Sequence, residues 1–356
     1  MRIATVSNAA VVHTQRWVET FRARGHEVRV WSLEPGPEAL AARPLPAAPL
    51  PAFLRYPLAA PALAKALAEF RPDVVDAHYV PNYGLLATLA GVRPLSVSAW
   101  GSDLLIAGPR DALQRARARF VLSRADLVIA DAENLARAAR DLGGAPDRVH
   151  AIPWGIDLAR FRPGDAREPG LILSVRMHEA VYDLESVIDA AGLVLPRVPH
   201  ARILFAGDGS RRAALERRAA ARLPGGRWGF VGRLDATALA AALGRAEVYV
   251  SASHSDSTSV SLLEAMAGGA APVVSDIEGN REWVAEGVGA RLFPPGDAAA
   301  MATALEAALG DAGWRARARA HNRAEVGRRG DAARNMGRIE SLFEALAAGS
   351  RGGGVR

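Results

Sequence analysis

The chain contains no cysteine in 356 residues, which excludes disulfides, thiolate metal sites and a cysteine nucleophile. Lysine is almost missing too: Lys65 is the only one, and arginine supplies the rest of the basic residues. No Asp-x-Asp pair occurs anywhere, so a metal held by such a pair to carry a diphosphate is not expected, and neither is any other cofactor. No apolar run approaches the roughly 20 residues that cross a bilayer as a helix. The first residues, MRIATVSNAA, lack the charged-then-apolar order of a signal peptide. These absences predict a cytoplasmic protein, either free or at the inner face of the cell membrane.

The length suits two domains rather than one ordinary core, and half of the residues are apolar, enough to bury sizeable interiors. The formal net charge is +6. The arginines are spread along the chain instead of blocked, which fits the composition of a GC-rich genome better than a phosphate-binding tract. A nucleic-acid partner is therefore not expected. Residues 110–124 read as an arginine-rich helix, either a solvated face or a peripheral contact with an anionic membrane.

Residues 2–6 form a strand, 15–24 show helical spacing with Trp17, Val18 and Phe21 on one face, and 28–31 form the next strand. In open α/β sheets the loop after such a first strand faces the ligand crevice. That makes Asn8 and His13 candidates, although the usual fingerprint glycines are missing; a helix cap or a surface position is the other reading of His13. Residues 35–61, rich in Pro and Ala, read as a long surface loop. Further strands end at His78 and at Trp100, and Asp103 follows a Gly-Ser turn. Asp103 is either a helix cap or a cap that also meets a ligand.

Pro and Gly punctuate residues 163–170, and the βα pattern then restarts. The expected organisation is an N-terminal domain at 1–165, a second at 166–335, a C-terminal helix at 336–348 that packs back on the first domain, and a disordered tail at 349–356. Within the second array, residues 289–296 read as a hairpin-like turn. The fold class is α/β: two doubly wound, Rossmann-like domains facing a central cleft.

The richest stretch is 251–279. Hydroxyl residues and Asp256 precede a short apolar helix that contains Glu264, and Gly268-Gly269 ends it before a buried strand. Backbone amides at the start of that helix, over Ser257–Ser261, are a ready anion site. Asp256 and Glu264, eight positions apart, place carboxylates before the helix and about two turns along it. Arg176, at the end of another strand, offers a permanent fork of donors. The pattern suits an elongated ligand, with hydroxyls at the carboxylates and phosphate at the helix start.

The chain resembles the retaining glycosyltransferases of family 4, which have the GT-B fold. The likeness rests on Ile152-Pro153-Trp154-Gly155-Ile156-Asp157 with Phe161, on residues 173–176, on Ala206-Gly207-Asp208-Gly209, on Phe230-Val231-Gly232-Arg233, and on Asp256 with Leu263-Glu264-Ala265-Met266-Ala267 through Gly269; Arg24-Gly25-His26-Glu27-Val28 agrees as well. The resemblance implies a nucleotide-sugar donor, UDP-linked by the family's habit, with Glu264 on the ribose and Arg176 on the diphosphate. It implies that the Val231, Gly232 and Arg233 backbone meets the base, and that the Ser259 and Val260 amides face the phosphates with Ser261 in the same helix start. Asp256 would hold donor-sugar hydroxyls. The family reaction is drawn as a front-face displacement dominated by charge stabilisation, which makes Arg176 and Asp256 the catalytic candidates. Asn8, His13, His78, Trp100 and Asp103 fall to the acceptor side, and a glycan, a lipid-linked glycan or a small molecule would serve as acceptor. Three departures stand out. Asp256 replaces a Glu, Val181-Tyr182 stand where a lysine is common, and Trp100 stands where many members have a histidine. Tyr182, His178 or Arg233 are candidates for a different phosphate clamp. The departures also motivate a second reading, a non-catalytic nucleotide-sugar or glycan-binding homologue, and a third is a sugar-nucleotide epimerase of the same fold.

Overall fold

The structure is a computed structural model, and residues 1–46, 50–107, 111–164 and 166–352 are described. The chain divides into two compact units, Met1–Ile152 with the C-terminal segment from Met336, and Pro153–Asn335. Among the described residues the first unit holds a seven-stranded parallel sheet: β1 (Arg2–Val6), β2 (Glu27–Ser32), β3 (Arg43–Pro44), β4 (Val74–His78), β5 (Leu95–Ala99), β6 (Leu127–Ala130) and β7 (Val149–Ala151), in the order β3-β2-β1-β4-β5-β6-β7. β4, β5 and β6 are buried along their whole length, as expected of central strands covered on both faces. The strand order reverses between β1 and β4. Their register pairs Val6 with Ala77, so Ser7, just past β1, and His78, the last residue of β4, stand side by side at the switch point, where this architecture opens its crevice.

The second unit holds β8 (Leu171–Ser174), β9 (Arg202–Ala206), β10 (Trp228–Gly232), β11 (Val248–Ser251), β12 (Ala271–Ser275) and β13 (Arg291–Phe293), ordered β10-β9-β8-β11-β12-β13 and parallel throughout. Its switch point lies between β8 and β11. The chain leaves β8 toward Arg176 and β11 toward the 251–259 loop, which brings these two segments together at one crevice.

The structure corrects several expectations. Residues 35–61 are not one loop. They contain a 3-10 turn at Glu38–Leu40, then β3, and the start of a helix spanning Ala52–Phe70; residues 47–49 lie outside the described residues. Pro57 and Pro61 sit inside this helix, four positions apart on its outer side. Each interior proline costs about 3 kcal/mol. The opposite face buries Tyr56, Ala59, Ala60, Leu63, Leu67 and Phe70. Full burial of a large apolar side chain contributes about 1.5–3 kcal/mol, so this packed face outweighs the prolines.

The expected boundary at 165 shifts to Ile152, because Ile156 and Phe161 bury in the second unit's core and Ile156 exchanges backbone hydrogen bonds with Gly330 and Ala332. The turn expected at 289–296 contains β13, a parallel partner of β12. The C-terminal helix spans Ala332–Gly352 and so runs into the expected tail; residues 353–356 lie outside the described residues. In the first unit this helix stacks Phe343 on Phe21 with ring centroids 5.6 Å apart, and its Glu340 accepts hydrogen bonds from Arg24 Nε at 2.7 Å and His26 Nε2 at 2.5 Å. No described helix is long and apolar enough to cross a membrane.

Candidate functional site

Arg176 lies two residues beyond β8 and is 7% exposed. Its Nη1 donates to Ser259 Oγ and Ser261 Oγ, both at 2.7 Å, and its Nη2 donates to Asp256 Oδ2 at 2.6 Å. The Tyr182 ring lies against the guanidinium, 4.1 Å from centroid to Cζ, a cation–π contact. Burial opposes the charge, but Asp256, Tyr249 and Tyr182 outweigh it and raise the pKa above the ordinary arginine value. Nε is buried and meets no acceptor among the described residues.

The partners of Arg176 come from the 251–261 segment for local reasons. Ser259 is the N-cap of the helix Val260–Gly268, and its Oγ also accepts from the Leu262 amide at 3.4 Å. Ser261, one turn ahead of Glu264, is held by Tyr249 Oη at 2.8 Å. The helix is buried almost throughout, Glu264 included at 4% exposure. Its C-terminus ends at Gly269 in the left-handed region, and Arg167, Arg319 and Arg323 donate to the carbonyls of Gly268, Gly269 and Ala267. Cations at the C-terminal end of the helix dipole stabilise it. Arginines that read as compositional bias in the sequence thus have a structural use. Gly279 packs against the loop: a Cβ there would fall 2.2 Å from Ser257 O and 2.5 Å from Asp256 O, so only glycine fits.

The base-side candidates also converge. A register shift between Phe230 and Gly232 leaves Val231 exposed, the usual effect of a bulge at a strand end. Gly232 O accepts from the Gly207 amide at 2.8 Å. Gly207 has φ +146°, and a Cβ on it would come within 2.3 Å of Arg176 O. The turn at Val231–Arg233, the Gly207–Gly209 loop and Arg176 are therefore in direct contact. Of the alternative clamp residues, Tyr182 flanks Arg176, Arg233 is exposed at the base-side turn, and His178 is buried behind it, its ring edge-to-face with Phe230 at 5.5 Å. Burial, then Arg212, lowers the His178 pKa.

In the first unit a cavity of about 250 Å³ opens at the ends of β1, β4 and β5, lined by Ser7, Asn8, Val11, Tyr56, His78, Tyr79, Asn82, Tyr83 and Trp100. Asn8, His78 and Trp100 are thus brought together as the sequence suggests. His13 packs edge-on against Trp100, with centroids 5.8 Å apart. Its pKa is lowered to about 4 by burial, with Arg16 and His78 adding to the effect. His78 is fully buried, and its Nε2 pairs with Asp76 Oδ2 at 2.7 Å; Asp76 Oδ1 accepts from Ser98 Oγ at 3.1 Å.

Asp103 does not line the cavity. It is wholly buried and accepts from the amides of Val80, Trp100 and Leu104. It ties together two π-helical turns, Tyr79–Gly84 and Ser102–Ala107, that follow β4 and β5, so its position is that of a structural cap. Burial raises its pKa. Sequence reasoning missed Asp76, Tyr56, Tyr79, Asn82, Tyr83 and, in the second unit, Tyr249. Asp76 was detectable, because it stands two positions before His78 on one strand and so shares its face. The tyrosines carried no local signal.

Comparison with known proteins gives two family matches that run consecutively. Residues 10–160 match Glycosyltransferase Family 4, and residues 156–326 match Glycosyl transferases group 1. A phosphatidyl-myo-inositol mannosyltransferase of Mycolicibacterium smegmatis is 35% identical over 179 residues, 47% of this chain and 45% of that protein. The sulfoquinovosyl transferase SQD2 of Arabidopsis thaliana is 25% identical over 83% of this chain and 63% of its own length. The chain thus spans about half to two thirds of these relatives. Anabaena Alr3699/HepE, solved in complex with UDP, superposes with a TM-score of 0.81 over 97% of this chain and 100% of that one, at 16% identity, and shows the shared GT-B architecture. The chain belongs to the family 4, group 1 glycosyltransferases.

Proposed function

We propose that this chain moves a sugar from a UDP-linked donor to a glycan, lipid-linked or small-molecule acceptor, with retention of configuration and without a metal. The observation that carries the reading is the buried Arg176 at a sheet switch point, bonded to the hydroxyls of a helix start that also bears Glu264. A fixed cation beside the amides of a helix start is matched to a diphosphate. Glu264 takes the ribose, the Val231–Arg233 backbone takes the base, and the amides of Ser259 and Val260 share the phosphate charge with Arg176. Asp256 takes donor-sugar hydroxyls. The cavity with Asn8, His78 and Trp100 takes the acceptor, and His13 supports Trp100 from behind. UDP in the solved Anabaena protein supports the choice of nucleotide.

In a retaining displacement the leaving diphosphate gathers charge as the glycosidic bond lengthens. Arg176 and the helix-start amides act on that charge, already oriented and shielded from water. No side chain need act as base if the departing phosphate accepts the acceptor proton. The test is release of UDP from a panel of UDP-sugars by purified protein with candidate acceptors, with the anomeric configuration of the product read by NMR. Transfer with retention, lost in Glu264→Ala, is expected; tight nucleotide binding with no turnover on any acceptor would replace this reading with a non-catalytic binder.

A further inference from the structure

Arg176 and Asp256, assigned above to diphosphate and sugar, are bonded to each other in the structure at 2.6 Å. The other partners of the Arg176 guanidinium are the neutral hydroxyls of Ser259 and Ser261 and the Tyr182 ring. Asp256 is the outermost of the charged pair: its side chain is 19% exposed, against 8% for Arg176. A diphosphate brought to Arg176 therefore approaches a guanidinium whose charge this carboxylate already balances, and two anions beside one cation repel each other.

We propose that Asp256 is an internal competitor for the diphosphate: it holds Arg176 until the phosphates displace it, and the released carboxylate then turns to the donor sugar. The backbone at 256–257 packs closely on Gly279, where a Cβ would fall 2.2 Å from Ser257 O, and the proposed exchange is a rotation of the Asp256 side chain. Residue length matters here, because Asp is one methylene shorter than Glu and cannot bridge from Arg176 to a sugar beyond the phosphates. The pair thus favours complete donor, which gains the carboxylate, over nucleoside diphosphate alone, which only loses it from Arg176.

The inference rests on the proposed role of Arg176, and the test separates the two. UDP and, as a base-free probe, inorganic pyrophosphate are titrated calorimetrically into the full chain as wild type, Asp256→Asn, Asp256→Ser and Arg176→Ala, with thermal melts confirming folding. Removing the competing charge should tighten UDP and pyrophosphate binding by about 5- to 10-fold in both Asp256 variants, the scale of one partly exposed charge pair, while the UDP-sugar gains less or binds more weakly. Equal or weaker UDP binding in folded Asp256 variants overturns the competition. If Arg176→Ala also loses UDP, the proposed function survives that result. If Arg176→Ala binds both probes like the wild type, or no variant binds either probe, the diphosphate assignment and the competition fall together.

Discussion

The two candidate pockets are built by different means. In the second unit one short segment supplies Asp256, Ser259, Ser261 and Glu264, and one further residue, Arg176, completes a charged cluster. In the first unit the cavity draws on the ends of three strands, a π-helical turn and the helix Ala52–Phe70, and among the described residues its lining carries no arginine or lysine. Recognition of a phosphate needs a helix start and a guanidinium, which a few neighbouring residues can provide. A neutral cavity needs shape, and shape is assembled from many distant residues. The charged half should therefore fail sharply on a single substitution, and the neutral half gradually.

The largest effect is expected for Arg176→Ala. Loss of charge-assisted hydrogen bonds worth about 1.5–3 kcal/mol each should weaken UDP binding roughly 100-fold, whereas Arg124→Ala, on an exposed arginine of the first unit, should leave it within about twofold. Equal effects in calorimetry would break the contrast between the halves. A smaller change is expected for Asn82→Ala in the cavity lining. Removing one neutral hydrogen-bonding group should raise the acceptor KM by up to about tenfold with the UDP affinity unchanged; a parallel loss of UDP binding would show that the cavity serves the donor.

His13 sharpens the comparison through pH. Its folded pKa of about 4 lies below its ordinary 6.5, so between these values the unfolded chain binds more protons than the folded one, and stability falls as pH drops from about 6.5 toward 4. A His13→Gln variant should lose less of its melting temperature than wild type between pH 7 and pH 5; identical losses would remove His13 as a contributor. Finally, transfer is expected to persist in a chelator. Abolition with rescue by a divalent ion would show that Arg176 and the helix start are not sufficient for the diphosphate.

The charged half was legible because its signals are local. Hydroxyls before an apolar run mark a helix start, Gly268-Gly269 marks its end, and an arginine just past a strand points toward a crevice. The ion pair between Arg176 and Asp256 was not legible, since the residues are 80 positions apart. Nor was the boundary at Ile152, where proline and glycine punctuation at 163–170 pointed to the wrong place and the burial of Ile156 and Phe161 decided it. The prolines at 57 and 61 hid a helix because local propensity was read without the face that buries Leu63, Leu67 and Phe70.

By itself the sequence determined the alternation of strands and helices, the absence of thiol chemistry, and the charged helix start, all of which follow from neighbours in the chain. Tertiary structure decided which strand ends meet, that Asp103 is wholly buried on backbone amides, that three dispersed arginines hold the end of the site helix, and that Asp256 holds Arg176. These depend on sheet order and burial, and no local pattern records either.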